Sequence, residues 1–239
     1  MKNKCRTLIA IVVVICFSFT SCETLKESSK YKFNDGFYKT TNNGKKETVY
    51  VLGGRDTIKE YQKVMLSSKE VDTIKSVSLL FPETKPGNFK NHSFTQSSFD
   101  LDVLTVLFKY RPSANGFPPQ FNATFNGAVF VGYRNDIYKL SYAENPLHIY
   151  SRRITHYGYS IGMFTGLGTA RIDEYVTNNA LSIQYDGLVN LTGIAVILAV
   201  EKLTAGVTIG QDHLLDRNKN LWVNNGKVWF GLSLGLNLN

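Results

Sequence analysis

A chain of 239 residues is long enough to bury a core without staples and short enough to hold one barrel or two small domains. Apolar residues make up 43% and charged residues only 19%, which excludes a charged disordered polymer, while 13% aromatics and 19 glycines favour strands and tight turns over long helices. The formal net charge of +8 comes without an Arg/Lys stripe, so nucleic acid is not an expected partner.

The first residues carry Lys2, Lys4 and Arg6, followed by an uncharged run from Thr7 through Phe19 and then Ser21-Cys22, the layout of an export signal. The run is shorter than the roughly 20 residues a membrane-spanning helix needs. Phe19-Thr20-Ser21-Cys22 resembles the lipobox of bacterial lipoproteins. That resemblance implies a signal peptide over residues 1–21 and Cys22 as the lipidated first residue of the mature chain. Cys5 and Cys16 fall inside the signal, so a chain starting at Cys22 forms no internal disulfide. Residues 22–30 are small, polar and charged, as suits a tether between an anchor and a folded body.

Residues 31–90 read as a small β-rich N-terminal module. Short apolar runs at Phe33, Phe37-Tyr38 and Val49-Tyr50-Val51-Leu52 are separated by Asn34-Asp35-Gly36, Asn42-Asn43-Gly44 and Gly53-Gly54, which are hairpin signals. Val71 to Phe81 is a further strand, closed by Pro82, Pro86 and Gly87. Asp56-Thr57-Ile58 and Asp72-Thr73-Ile74 repeat one tripeptide. It resembles the O-glycosylation motif of Bacteroidota, which implies Thr57 and Thr73 as acceptors; ordinary strand ends are the alternative.

From residue 91 to 239 the runs lengthen and alternate with a period of two. Phe121 to Arg134 sets Phe125, Val129, Val131 and Tyr133 against Asn126, Ala128, Phe130 and Arg134. His156 to Ala170 sets Tyr157, Tyr159, Ile161, Met163 and Leu167 against Gly158, Ser160, Gly162, Phe164, Gly166 and Gly168. Lys227 to Asn239 sets Val228, Phe230, Leu232, Leu234, Leu236 and Leu238 against Trp229, Gly231, Ser233, Gly235, Asn237 and Asn239. Leu188 to Val200 and Leu203 to Gln211 flank Glu201-Lys202 as a hairpin, Phe99 to Arg111 is another long strand, and Ile137 to Tyr150 is one more, interrupted by Pro146. The expected fold is all-β, an antiparallel barrel of about eight strands following the N-terminal module.

A soluble barrel turns its apolar face inward and shows Lys, Glu and Arg to water; here the second face is nearly uncharged. Strands this long with large residues on one face and Gly, Ser, Asn and Thr on the other suit a tilted transmembrane barrel with lipid outside and a narrow, filled lumen. In this pattern residues 99–239 resemble small outer-membrane β-barrel proteins of Gram-negative bacteria. The resemblance implies an outer-membrane lipoprotein with a structural or binding role, with membrane lipid and other envelope proteins as partners. The alternative is a soluble, lipid-tethered barrel that binds an apolar ligand inside. The two differ in where Val228, Phe230, Leu232, Leu234 and Leu236 point.

Walker, HExxH, GxSxG and CxxC motifs do not occur, so neither cofactor nor metal is expected. Gln211-Asp212-His213, with Asp216 nearby and Ser160 or His156 as partners from elsewhere, is the one constellation for a third reading, a lipid hydrolase at the barrel rim.

Overall fold

The computed structural model describes residues 33–42, 45–53, 57–63, 70–80, 92–113, 116–148, 150–200 and 203–237. The expected signal, Cys22, the tether and the Glu201-Lys202 turn lie outside them. The described chain is all-β and antiparallel. Its strands are β1 (Gly36–Asn42), β2 (Lys45–Gly53), β3 (Thr57–Lys63), β4 (Val71–Leu80), β5 (His92–Arg111), β6 (Gln120–Asn122), β7 (Asn126–Glu144), β8 (Tyr150–Ile172), β9 (Tyr185–Val200), β10 (Leu203–Leu214) and β11 (Val228–Asn237).

Six of these strands form a closed ring. β5, β7, β8, β9, β10 and β11 pair in succession, and β11 returns to β5. Following paired residues once around, from Leu101 through Val131, Met163, Ile194, Ile209 and Phe230, leads back to β5 at Tyr110. The displacement along β5 is the stagger by which a closed sheet tilts its strands. Six strands, rather than the expected eight or so, close this ring. β1 meets β5 only at Thr95 and Phe94, short of the Asp102 to Tyr110 stretch that β11 covers. The sheet β1 to β4 therefore extends away from the ring instead of entering it.

Two expected boundaries move. Phe121 to Arg134 divides into β6, which pairs with β5, and β7, which starts at Asn126 and continues through Ile137 to Glu144. Pro146 sits in the turn before β8, where its missing N–H costs no ladder bond.

The outward face of the ring carries Val129, Val131, Tyr133, Ile161, Met163, Ile194, Val196, Leu198, Val207, Phe230, Leu232 and Leu234, all exposed. The inward face holds Leu104, Val106, Ala128, Phe130, Phe164, Leu191, Ala195, Ile197 and Trp229 as one buried cluster. Glycines make that cluster possible. A Cβ on Gly162 would lie 2.2 Å from Val131 O and 2.8 Å from Phe130 Cζ, and one on Gly210 would lie 2.5 Å from Trp229 Cζ2, so the aromatic rings lie where side chains would otherwise stand.

A second core joins the N-terminal sheet to the lower ends of the ring strands: Tyr38, Val49, Val51 and Ile58 pack with Phe94, Tyr138 and Leu140. A third, of Ala170, Ile172, Val176, Val189, Leu214 and Trp222, closes the opposite end. That end carries the connections at residues 173–184 and 215–227 and is called the loop end; the other, with the β7–β8 and β9–β10 turns, is the turn end.

Candidate functional site

The interior of the ring is charged. On β5 the buried positions are Asp100, Asp102, Leu104 and Val106, then Lys109 and Arg111. The phase of the alternation changes between them, where β11 shifts register against β5 at Leu232/Ser233, a β-bulge that turns the following residues over. Without it Lys109 and Arg111 would point outward. With it, Lys109 Nζ donates to both oxygens of Asp212, at 3.0 and 2.9 Å, and to Asn126 Oδ1 at 2.8 Å. Arg111 Nη2 donates to the same Asp212 carboxylate, and Trp229 Nε1 adds a third donor at 2.9 Å. The ammonium also lies 4.7 Å from the Trp229 ring centroid, a favourable cation–π distance.

Two cations therefore share one buried carboxylate. Arg111 uses only Nη2; its Nε and Nη1 are buried and have no acceptor among the described residues. Arg111 lines a loop-end cleft of about 320 Å³ together with Gln120, Asn122, Thr124, Trp222 and Asn224. The guanidinium carbon lies 5.5 Å from the Trp222 ring centroid, and the buried Trp222 Nε1 likewise has no acceptor among the described residues. At the rim, Arg171 Nε lies 3.3 Å from Asp173 Oδ2, and Asn224 Nδ2 donates to Gln120 Oε1 at 3.0 Å.

Toward the turn end lies a separate polar group. Arg134 Nε donates to Asp136 at 2.9 and 3.1 Å, and His156 Nε2 lies 2.7 Å from Asp136 Oδ1. Ser160 Oγ donates to Asp100. Gly158 leaves the room this needs, since a Cβ there would lie 2.7 Å from Arg134 Nη2.

The residues weighed for hydrolysis are thus dispersed. Asp212 is buried inside while His213 is exposed outside, as strand alternation requires. Ser160 and His156 serve different carboxylates, and Asp216 caps a short 3-10 turn by accepting from Asn218 N. Thr73 is exposed on β4, and Thr57 opens β3 opposite Leu80. Among the described residues no group of three or more His, Cys, Asp or Glu is placed to hold a metal ion.

The sequence reading found Asp212 but not its partners. Lys109 and Arg111 lie at the end of the strand expected over Phe99 to Arg111, and only the bulge makes them interior. Comparison with protein-family models, curated proteins and solved structures returned no match.

Proposed function

We propose that the ring is a transmembrane antiparallel β-barrel of the outer membrane. It is further anchored by lipid at Cys22, holds the N-terminal sheet on the periplasmic side, and serves a structural or binding role rather than catalysis. The carrying observation is the outward face. Between Lys139 and Arg153 at the turn end and Arg171, Asp186 and His213 at the loop end, the outward positions of the ring strands carry no charge. Phe99, Tyr133, Tyr157 and Tyr159 stand toward the turn end, and Tyr110, Phe121, Phe125 and Phe230 toward the loop end, with aliphatic residues between. Aromatic girdles flanking an apolar band are the mark of outer-membrane barrels.

The height supports the same reading. Tyr157 to Leu167 advances about 33 Å at the usual strand rise, which a tilt of about 45° turns into roughly the 25 Å of an outer-membrane apolar band. A contiguous apolar surface of this kind marks a membrane or partner-facing side. Polarity is inverted, with charges inside and hydrocarbon outside. The alternative of an apolar ligand in the interior finds little support, since Phe130, Phe164 and Trp229 fill that space. Six strands are fewer than the eight of the smallest single-chain bacterial barrels, and a lumen packed solid with side chains agrees with so narrow a ring.

Two residues of equal exposure test the reading. Met163 is 71% exposed within the band, and Ile183 is 72% exposed in a loop-end connection. Met163→Arg sets a charge against hydrocarbon at a cost of about 2 to 4 kcal/mol, whereas Ile183→Arg stays in water. In membrane fractions, the heat-modifiable folded band should fall sharply for Met163→Arg and persist for Ile183→Arg. Equal tolerance of both, with the protein soluble once its tether is cut, would overturn the proposal.

A further inference from the structure

The loop-end cleft is lined by two residues that carry unused buried donors, and one of them belongs to a group with unbalanced charge. Lys109 and Arg111 face the single carboxylate of Asp212, so the buried group carries one positive charge in excess, and the rim pair Arg171 and Asp173 cancels itself. The excess is not spread into solvent: Lys109 is 1% and Arg111 4% exposed. Nε and Nη1 of Arg111 and Nε1 of Trp222 are buried donors with no acceptor among the described residues, and both residues line the cleft. Leaving such donors empty is costly, and buried cations are ordinarily matched by anions.

We propose that this cleft binds a small hydroxylated carboxylate of sugar-acid size, its carboxylate beside Arg111 and Trp222. One excess positive charge matches a monoanionic carboxylate better than phosphate in its dianionic form. The amides and hydroxyl of Gln120, Asn122, Thr124 and Asn224 line the rest and suit the hydroxyls of a sugar ring, while the exposed Tyr175 ring offers an apolar face. A volume of about 320 Å³ is at the small end of ligand pockets. Binding rests on the cleft alone; only its opening to the cell exterior rests on the membrane reading.

The test is isothermal titration calorimetry on full-length protein, folded in detergent micelles, with D-glucuronate, D-glucose and inorganic phosphate as probes. If the protein proves soluble without detergent, the membrane reading fails but the same titration runs in buffer, so the two failures stay distinct. D-glucuronate should bind saturably, at least about tenfold tighter than glucose or phosphate. Lys109→Met removes the excess charge without entering the cleft and should weaken glucuronate at least about tenfold. Asn224→Trp should block binding sterically while leaving the Asp212 group untouched. No binding of glucuronate, equal binding of glucose, tighter binding of phosphate, or wild-type affinity in Asn224→Trp would each overturn the proposal. Should Lys109→Met fail to fold, the glucose comparison and Asn224→Trp still decide it.

Discussion

At the scale of single residues, the asymmetry around Asp212 makes its two sides unequal. Asp212→Asn leaves Lys109 and Arg111 buried side by side with no carboxylate, the situation that costs about 3 to 5 kcal/mol when a buried pair is broken. Lys109→Met leaves a neutral Arg111–Asp212 pair, orphans only Asn126 Oδ1, and should cost about 1 to 2 kcal/mol. Denaturant midpoints of the folded form should therefore separate the two variants widely. A similar contrast holds for glycines. A Cβ at Gly127 meets nothing nearer than the Phe125 ring at 3.9 Å, whereas at Gly162 it meets backbone oxygen at 2.2 Å. Gly127→Ala should be silent, and Gly162→Ala should lose about 1 to 3 kcal/mol through forced backbone movement, read as a lowered thermal midpoint.

At the scale of elements, β5 joins two structures with different needs. Its upper half lies in the ring, and its lower end carries Phe94 into the core shared with β1, β2 and β3. On β3, burial pushes the Glu60 carboxyl up to about 7, with His92 Nδ1 4.0 Å from its Oε1. An unfolded glutamate ionises above its ordinary value of 4.5, while the folded one holds its proton until about 7. The folded sheet thus binds the extra proton in that window, so its stability falls as pH rises through it. Glu60→Gln should remove the slope: little change near pH 4, and slower amide exchange in β2 and β3 than wild type near pH 8. Alternation in β7, β8, β10 and β11 was readable because each side chain kept to its face, and Val228, Phe230, Leu232 and Leu234 indeed point outward. The bulge in β5 was not readable. One extra residue inverts every later position, and nothing in Thr105-Val106-Leu107-Phe108-Lys109 marks where the inversion falls. The unused donors of Arg111 and Trp222 were hidden for a second reason, since the two residues lie far apart in the chain and meet only when the ring closes.

At the scale of the whole molecule, local pattern gave strand positions and facing, but strand count depended on long-range pairing. β1 to β4 pair antiparallel in succession, while Asn34-Asp35-Gly36, also read as a hairpin signal, only leads into β1; that this sheet extends β5 rather than entering the ring is decided by where β11 lands. That landing also sets an order of events. β11 is the last described strand, and its partner β5 precedes it by most of the ring sequence. Contacts so distant in sequence form late and slowly. Until they form, β5 and β11 are open edges of a curled sheet, with backbone donors and acceptors bare and ready to pair with another chain. If the chain is exported from its N-terminus forward, as the proposed function requires, it presents those edges for as long as the docking of β11 is delayed, and survival in that interval is a matter of escort and timing rather than of final stability.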